Sequence, residues 1–147
     1  MECADFYRHA EMKMCMHHVY EFHKGIRSLV LCTLERSCAE LLKERLDAQG
    51  IGYLVQPVAG GDKVNLYFGK SACLDVVQTF IDKPLNRLSP EQDFMLGSML
   101  GYAVEQQCER YCKRRAAVIG CEIALHGSCE GGSSMRSSRA AFLPDTE

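Results

Sequence analysis

The amino-acid sequence predicts an α/β (α+β) domain with a small mixed three-stranded sheet, arranged like half of a ferredoxin-like fold. The continuous apolar run Leu29–Leu34 is typical of a strand covered on both faces. Two further strand-like runs, Tyr53–Val58 and Lys63–Phe68, are separated by a short turn that contains two glycines. Helical repeats follow the first strand and begin again near Ser71 and Ser89, so the predicted element order is β-α-β-β-α-α.

The segment before the first strand allows two interpretations. Residues 16–25 could form a short helix that Gly25 closes in a left-handed conformation, or they could form a strand. We expect residues 1–15 to be a poorly ordered N-terminal extension and residues 16–115 to form the single α/β domain. Residues 116–147 contain a Gly- and Ser-rich stretch without apolar periodicity, so we expect a mostly disordered C-terminal tail.

The helix after the first strand is predicted from its start signal, its apolar repeat and its stop. Ser37 and Glu40 have the spacing of a capping box, in which each side chain satisfies a free backbone N–H. Apolar residues then recur at helical spacing as far as Leu46, and Gly50 ends the helix.

The strand order follows from how the three strands are connected. A right-handed crossover through this helix makes the first and second strands parallel, and the short turn makes the third antiparallel, which predicts a mixed sheet. Pro57 cannot donate a ladder hydrogen bond, which favours an edge position for the second strand. We therefore expect the order first, third, second, with the helices mainly on one face of the sheet.

The last helix has the clearest start in the chain and an unusual composition. Ser89, Pro90 and Gln92 combine an N-cap, a first-turn proline and a capping box, and the helix can continue to about Cys112. Apolar residues surround it almost completely, so one face should pack on the sheet and another on a second protein surface, such as a second copy of the chain. The alternative is that the N-terminal segment of the same chain covers this second face. The predicted interface consists of Phe94, Met95, Met99 and Tyr102, and the predicted positions of close helix packing are Gly97 and Gly101.

The bend Gly69–Lys70–Ser71 follows a strand and opens a helix, as the end of a phosphate-binding loop does. The first glycine of that motif would fall at Val64, inside the preceding strand. The favoured interpretation is therefore a glycine bend with Ser71 capping a helix, and a weak anion site at the helix N-terminus is the alternative.

The cysteines raise the question of a metal site. Cys108 and Cys112 stand one helical turn apart and could form half of a zinc site, which His17, His18 or His23 would have to complete. The favoured interpretation is that the cysteines are buried structural residues and that the histidines are solvated. The nine cysteines are odd in number and no secretory signal precedes them, so we expect reduced thiols.

Charge and hydropathy narrow the class of function. The formal net charge is -2, which supplies no field that would attract nucleic acid or an anionic membrane. The apolar stretches are too short to span a bilayer, so we expect a cytoplasmic protein. The sequence contains no complete catalytic, cofactor or metal motif, and we assign no catalytic residue and no cofactor.

Several stretches of the chain resemble a small bacterial family known as domain of unknown function 2023. The similarity covers about residues 16–112. It rests on the segments His17–Phe22, Lys24–Arg27, Leu29–Leu31, Leu88–Glu91, Gly101–Tyr102 and Gln107–Tyr111. The resemblance implies a cytoplasmic bacterial protein of mixed α/β fold, and it suggests a loose association with flavodoxin genes. It implies no established activity.

Three functions are consistent with the sequence. The favoured one is a non-enzymatic interaction or regulatory protein, a homo-oligomer whose protein partner could be a flavodoxin-type redox protein. The second is a metal- or thiol-dependent protein that uses Cys108, Cys112 and the N-terminal histidines. The third is a small-ligand or anion-binding protein.

Overall fold

The computed structural model describes residues 3–126, with side chains through residue 121. A short 3₁₀ turn covers Leu85–Arg87 between the third and fourth helices. The helices and strands, in chain order, are α1 Cys3–His23, β1 Leu29–Glu35, α2 Arg36–Ala48, β2 Gly52–Pro57, β3 Lys63–Gly69, α3 Ser71–Gln78, α4 Pro90–Met99 and α5 Val104–His126.

The three strands form one sheet in the predicted order β1-β3-β2, with β2 at an edge. The prediction of a mixed sheet is wrong in one respect, because both hydrogen-bonded pairs are antiparallel. β1 and β2 do run in the same direction, as the crossover through α2 requires. Since β3 lies between them and runs the opposite way, no parallel pair is formed among these three strands.

Helices cover both faces of the sheet, which corrects the prediction that they lie mainly on one. On one face, α1 and α2 pack on Val30, Leu66 and Phe68 to form what we call the α1–α2 core. On the other face, α3 and α4 pack on Leu29 and Tyr67 to form the α3–α4 core. β3 alternates buried residues toward both cores, so it needs cover on both sides.

Helix α1 is longer than the sequence indicated. It begins at Cys3, so residues 3–15, predicted to be poorly ordered, are helical, and Cys15 is buried. The reason is an apolar stripe at helical spacing along its inner face. The stripe consists of Met12, Cys15, Met16, Val19 and Phe22.

Helix α5 also extends past the predicted domain end at residue 115, as far as His126. The rest of the predicted tail, residues 127–147, lies outside the described residues. Within residues 3–126, no helix combines the length and the apolar character that a membrane crossing requires.

Helices α2 and α3 start without the predicted side-chain caps. α2 begins at Arg36, so Ser37 lies inside its first turn and forms no capping box. α3 has Lys70, not Ser71, as its N-cap. In both places, backbone hydrogen bonds at the end of the sheet fix where the helix begins. Arg36 N donates to Asp62 O and Lys70 N donates to Ser28 O, and the chain turns directly from strand into helix.

Helix α4 begins as predicted and ends earlier than predicted. The capping box is confirmed, with Gln92 N donating to Ser89 Oγ at 3.2 Å and Ser89 N donating to Gln92 Oε1 at 3.0 Å. The helix stops at Met99 because Gly101 adopts a φ of 83°, which closes the helix with a Schellman motif. The predicted single helix is therefore two helices, and α5 folds back along α4.

Asp93 joins the two helices of this hairpin. Its carboxylate accepts hydrogen bonds from Arg110 Nε at 2.7 Å and from Arg110 Nη2 at 3.2 Å, and Arg114 Nη1 lies 3.0 Å away. The Arg110 hydrogen bonds hold the pKa of the Asp93 carboxyl below its usual range. The ionised carboxylate therefore stabilises the folded state at neutral pH.

We expect Asp93→Asn to lower the melting temperature by a few degrees at pH 7 and by much less at about pH 2. A depressed folded-state pKa gives stability that is present above the unfolded pKa and is lost as the pH falls through the folded pKa. Thermal melts followed by circular dichroism at the two pH values test this. Asp62→Asn is the control, because Asp62 forms only an exposed ion pair with Arg36. Equal melting temperatures for Asp93→Asn and the parent at pH 7 would contradict the assignment.

Candidate functional site at the free edge of β1

The outer edge of β1 carries backbone groups that bond to no other strand among the described residues. At the two ends of the strand, Lys70 N donates to Ser28 O at 2.9 Å and Arg36 N donates to Asp62 O at 3.0 Å. Both of these β1-side residues, Ser28 and Arg36, have even numbers. Because hydrogen-bonded pairs alternate along an antiparallel ladder, the even-numbered residues of β1 bond to β3. The odd-numbered residues therefore direct their N–H and C=O groups away from the sheet.

The accessible part of this edge is the half that contains Leu31, Thr33 and Glu35. Leu29 is fully covered, whereas Leu31 is half-buried and the other two residues are exposed. In the part of the chain that the structure describes, no strand pairs with this edge. By contrast, the outer edge of β2 includes Pro57, which has no N–H to offer a further strand.

A cleft of about 390 Å³ runs along this edge between β1 and α1. Tyr7 and Met14 of α1 form part of its wall and are 68% and 65% exposed. Large apolar side chains beside an unpaired strand edge are typical of a protein-binding surface. The lining residues are Tyr7, Ala10, Glu11, Met14, Cys15, His18, Leu31, Cys32, Thr33 and Leu34.

Two buried cysteine residues contribute to the lining of this cleft. Cys15 of α1 and Cys32 of β1 are only 2% and 8% exposed, and each side chain contributes to the cleft lining. A hydrogen bond between the thiols raises the pKa of Cys15 and lowers that of Cys32. The positive charge of Arg27 also lowers the pKa of Cys32.

A polar cluster lies along α1 toward its C-terminal end. Glu21 accepts a hydrogen bond from Arg27 Nε at 2.8 Å, and ring nitrogens of His17 and His18 lie 3.2 and 3.1 Å from Glu21 Oε1. The Arg27 hydrogen bond holds the pKa of the Glu21 carboxyl below its usual range. Because Arg27 links the chain before β1 to α1, the cluster positions the wall of the cleft.

The predicted interface residues on α4 separate into two groups. The Phe94 ring packs edge-on against Tyr111 of α5 with the ring centroids 5.8 Å apart, and Met99 packs against the α3–α4 core. Met95 and Tyr102 are exposed. Only these last two therefore offer apolar surface to another molecule.

The two glycines predicted to pack closely have different environments. Gly97 is buried on α4, and a Cβ there would overlap the Gln107 side chain of α5. At Gly101 a Cβ would meet no atom of the described residues within 4 Å, and the glycine serves the left-handed turn instead. Of the two predicted positions, only Gly97 therefore lies in a close contact between helices.

The weak metal candidates lie on different parts of the fold. Cys108 and Cys112 are exposed on α5, which packs on α4. His17 and His18 are on α1, beyond the opposite face of the sheet, and both contact Glu21. Among the described residues, no three His, Cys, Asp or Glu side chains are grouped as metal ligands.

The bend at Gly69 has a structural role. Gly69 is buried and has a φ of 153°, and a Cβ there would overlap the carbonyl oxygen of Ser28. Lys70 and Ser71 are exposed at the start of α3. The glycine allows β3 to pass close to the chain that enters β1, which accounts for the bend without a bound anion.

Sequence reasoning missed Tyr7, Met14 and the Cys15–Cys32 pair. The available signal was the apolar spacing that continues from Phe22 back to Met12, which places Cys15 on the inner face of a longer helix. No local pattern could pair it with Cys32, because the two residues lie on different elements.

Comparison with known proteins agrees with the resemblance noted in the sequence. No curated protein matches the chain. A family model described as Protein of unknown function (DUF2023) matches residues 13–114. Because this match extends from the second half of α1 to the middle of α5 and includes the whole sheet, the chain belongs to the DUF2023 family.

Proposed function

We propose that this protein is a non-enzymatic interaction module that works as a homodimer, in which the β1 edges of two copies pair as antiparallel strands. The observation that carries the proposal is the outer edge of β1, which pairs with no strand among the described residues and lies beside the exposed Tyr7 and Met14 side chains. Exposed strand edges are templates for pairing unless proline, charge or a covering element blocks them. In this arrangement Leu31 would pair with the partner subunit's Thr33.

A second copy fits this edge for two reasons. A two-fold axis perpendicular to the sheet places both α1 helices on the same face, so that the Tyr7 and Met14 side chains of the two copies can cover each other. Antiparallel pairing also brings the basic end of β1, near Arg27, toward the acidic end at the partner subunit's Glu35. The contact between the α1 helices and the charge pairing both arise because a two-fold interface uses the same surface of each subunit.

We expect a Tyr7→Glu/Met14→Glu variant to dissociate at protein concentrations about tenfold higher than the parent, or more. Burying two carboxylates in the apolar contact between the α1 helices is the physical reason. Sedimentation velocity over a concentration series measures the effect. Phe6→Glu is the matched control, because Phe6 is 71% exposed on the same helix but is not part of the cleft lining.

A Met95→Glu/Tyr102→Glu variant tests the competing interface on α4 that the sequence predicts. If this variant dissociates the protein and the α1 variant does not, the dimer uses α4 and the β1 pairing is wrong. A protein that sediments as a monomer at every concentration would contradict both interfaces.

We further propose a flavodoxin-type redox protein as the partner of the dimer in the cytoplasm. The family resemblance supports this choice, through the association of the family with flavodoxin genes. Isothermal titration of the protein with a purified flavodoxin from the same host tests it. Saturable binding is expected, and the absence of heat at tens of micromolar protein would contradict this partner.

A further inference from the structure

We propose that Cys15 and Cys32 form a dithiol site that small organic disulfides of the glutathione class oxidise to an intrachain disulfide between α1 and β1. The two cysteines come from two different elements, both lie in the α1–α2 core, and both line the same cleft. A cleft of about 390 Å³ can admit the disulfide-bearing end of such a molecule. The substrate class of the dithiol site is therefore the organic disulfides.

The surroundings of the two thiols assign them different roles. Cys32 is the more exposed of the pair, and the nearby Arg27 charge favours its thiolate. A thiolate is the form that attacks a disulfide. Cys15 is more deeply buried, which suits the second thiol that resolves the first product.

The reaction balances as two thiol–disulfide exchanges. The Cys32 thiolate attacks one sulfur of R–S–S–R, which forms a mixed disulfide and releases one RS⁻. Cys15, after losing its proton, attacks Cys32 Sγ, which forms the Cys15–Cys32 bond and releases the second RS⁻. The protein gives up two electrons and two protons, and the organic disulfide takes them up as two RSH molecules.

The Cys38 thiol provides an internal comparison. It is fully buried in the same α1–α2 core, and the nearby Glu11 carboxylate and burial raise its pKa. A cysteine that serves in the core only as a small apolar residue should behave as Cys38 does. If the pair is a dithiol site, Cys32 reacts while Cys38 remains a free thiol.

The test is to treat the full-length protein with oxidised glutathione and to map the tryptic peptides by mass spectrometry without reduction. Peptide 14–24 contains only Cys15, and peptide 28–36 contains only Cys32, so their cross-link identifies the bond. We expect this cross-linked species to form in the parent and to be lost in both single Cys→Ser variants. In Cys15→Ser the glutathione adduct should accumulate on peptide 28–36, and in Cys32→Ser peptide 14–24 should stay unmodified.

Two results would overturn the proposal. One is that Cys15 and Cys32 remain as unreactive as Cys38 while the exposed Cys108 and Cys112 acquire glutathione. The other is a set of cross-links in which Cys15 and Cys32 pair with other cysteines as often as with each other. A Cys73→Ser variant, changed in the opposite core, is the matched control and should still form the cross-link.

The rate at which the cross-link forms at different protein concentrations connects this site to the proposed dimer. This part of the experiment rests on the proposed function. The second copy would cover the cleft, so the cross-link should form more slowly as the dimer becomes populated. Cross-linking at a rate independent of concentration would support the dithiol site and would contradict pairing at the β1 edge. Failure of the dimer and failure of the dithiol site can therefore be distinguished.

Discussion

Replacing Phe68 by alanine is expected to lower the free energy of unfolding by about 3–5 kcal/mol. Phe68 is fully buried in β3, at the centre of the α1–α2 core, and its ring packs edge-on against Phe22 of α1 with the centroids 6.4 Å apart. The substitution removes this contact and leaves a cavity between the sheet and the helix that carries one wall of the cleft.

Urea denaturation followed by circular dichroism measures the effect of Phe68→Ala. One fixed protein concentration is used, because the proposed dimerisation would add to the apparent stability. Phe6→Ala is the control, since Phe6 is exposed near the start of α1 and should change stability by no more than about 0.5 kcal/mol. A loss below about 1 kcal/mol for Phe68→Ala would mean that α1 does not pack on β3 as described.

Gly69→Ala is expected to destabilise the fold by at least about 2 kcal/mol, although only one methyl group is added. The new Cβ would overlap the carbonyl oxygen of Ser28 and lie 3.0 Å from Leu29 Cα. These are backbone atoms, and that carbonyl already accepts the hydrogen bond from Lys70 N. Relief requires β1 and β3 to separate at this end of the sheet.

The same denaturation experiment on Gly61→Ala provides the control for Gly69→Ala. Gly61 lies in the turn between β2 and β3, where a Cβ would meet no described atom within 4 Å. Its substitution should be nearly neutral or slightly stabilising. If Gly69→Ala is as stable as Gly61→Ala, the close approach of β3 to the entry of β1 is wrong. Because that approach positions β1, Gly69→Ala should also weaken self-association.

Local signals explain which predictions of the fold were confirmed. The apolar run at β1, the repeat in α2 and the capping box at Ser89 depend on neighbouring residues, and each element lies where the sequence indicated. Pro57 likewise indicated that β2 lies at an edge, because a missing N–H is a property of the residue itself. The three-stranded α/β fold and its strand order were therefore predictable.

The errors arose where long-range contacts outweigh a local signal. Ser37 and Ser71 have the composition of helix caps, but backbone hydrogen bonds across the sheet make Glu35 and Lys70 the N-caps, two residues and one residue earlier. The apolar residues around α4 suggested one long helix with an outer interface. Gly101 instead turns the chain back, so that Phe94 packs on α5 and Met99 on the α3–α4 core, while Met95 and Tyr102 remain exposed.

The sequence by itself determined the order of the elements from β1 to α4, the half-ferredoxin-like strand order and the resemblance to the family, because periodicity, caps and turns act over a few residues. Only the tertiary structure decided that helices cover both faces, that β1 has the accessible edge, and that Cys15 meets Cys32. The physical reason is that packing joins residues from separate elements, and a one-dimensional pattern shows which side of a helix is apolar but not what it contacts. The candidate site lies at such a junction.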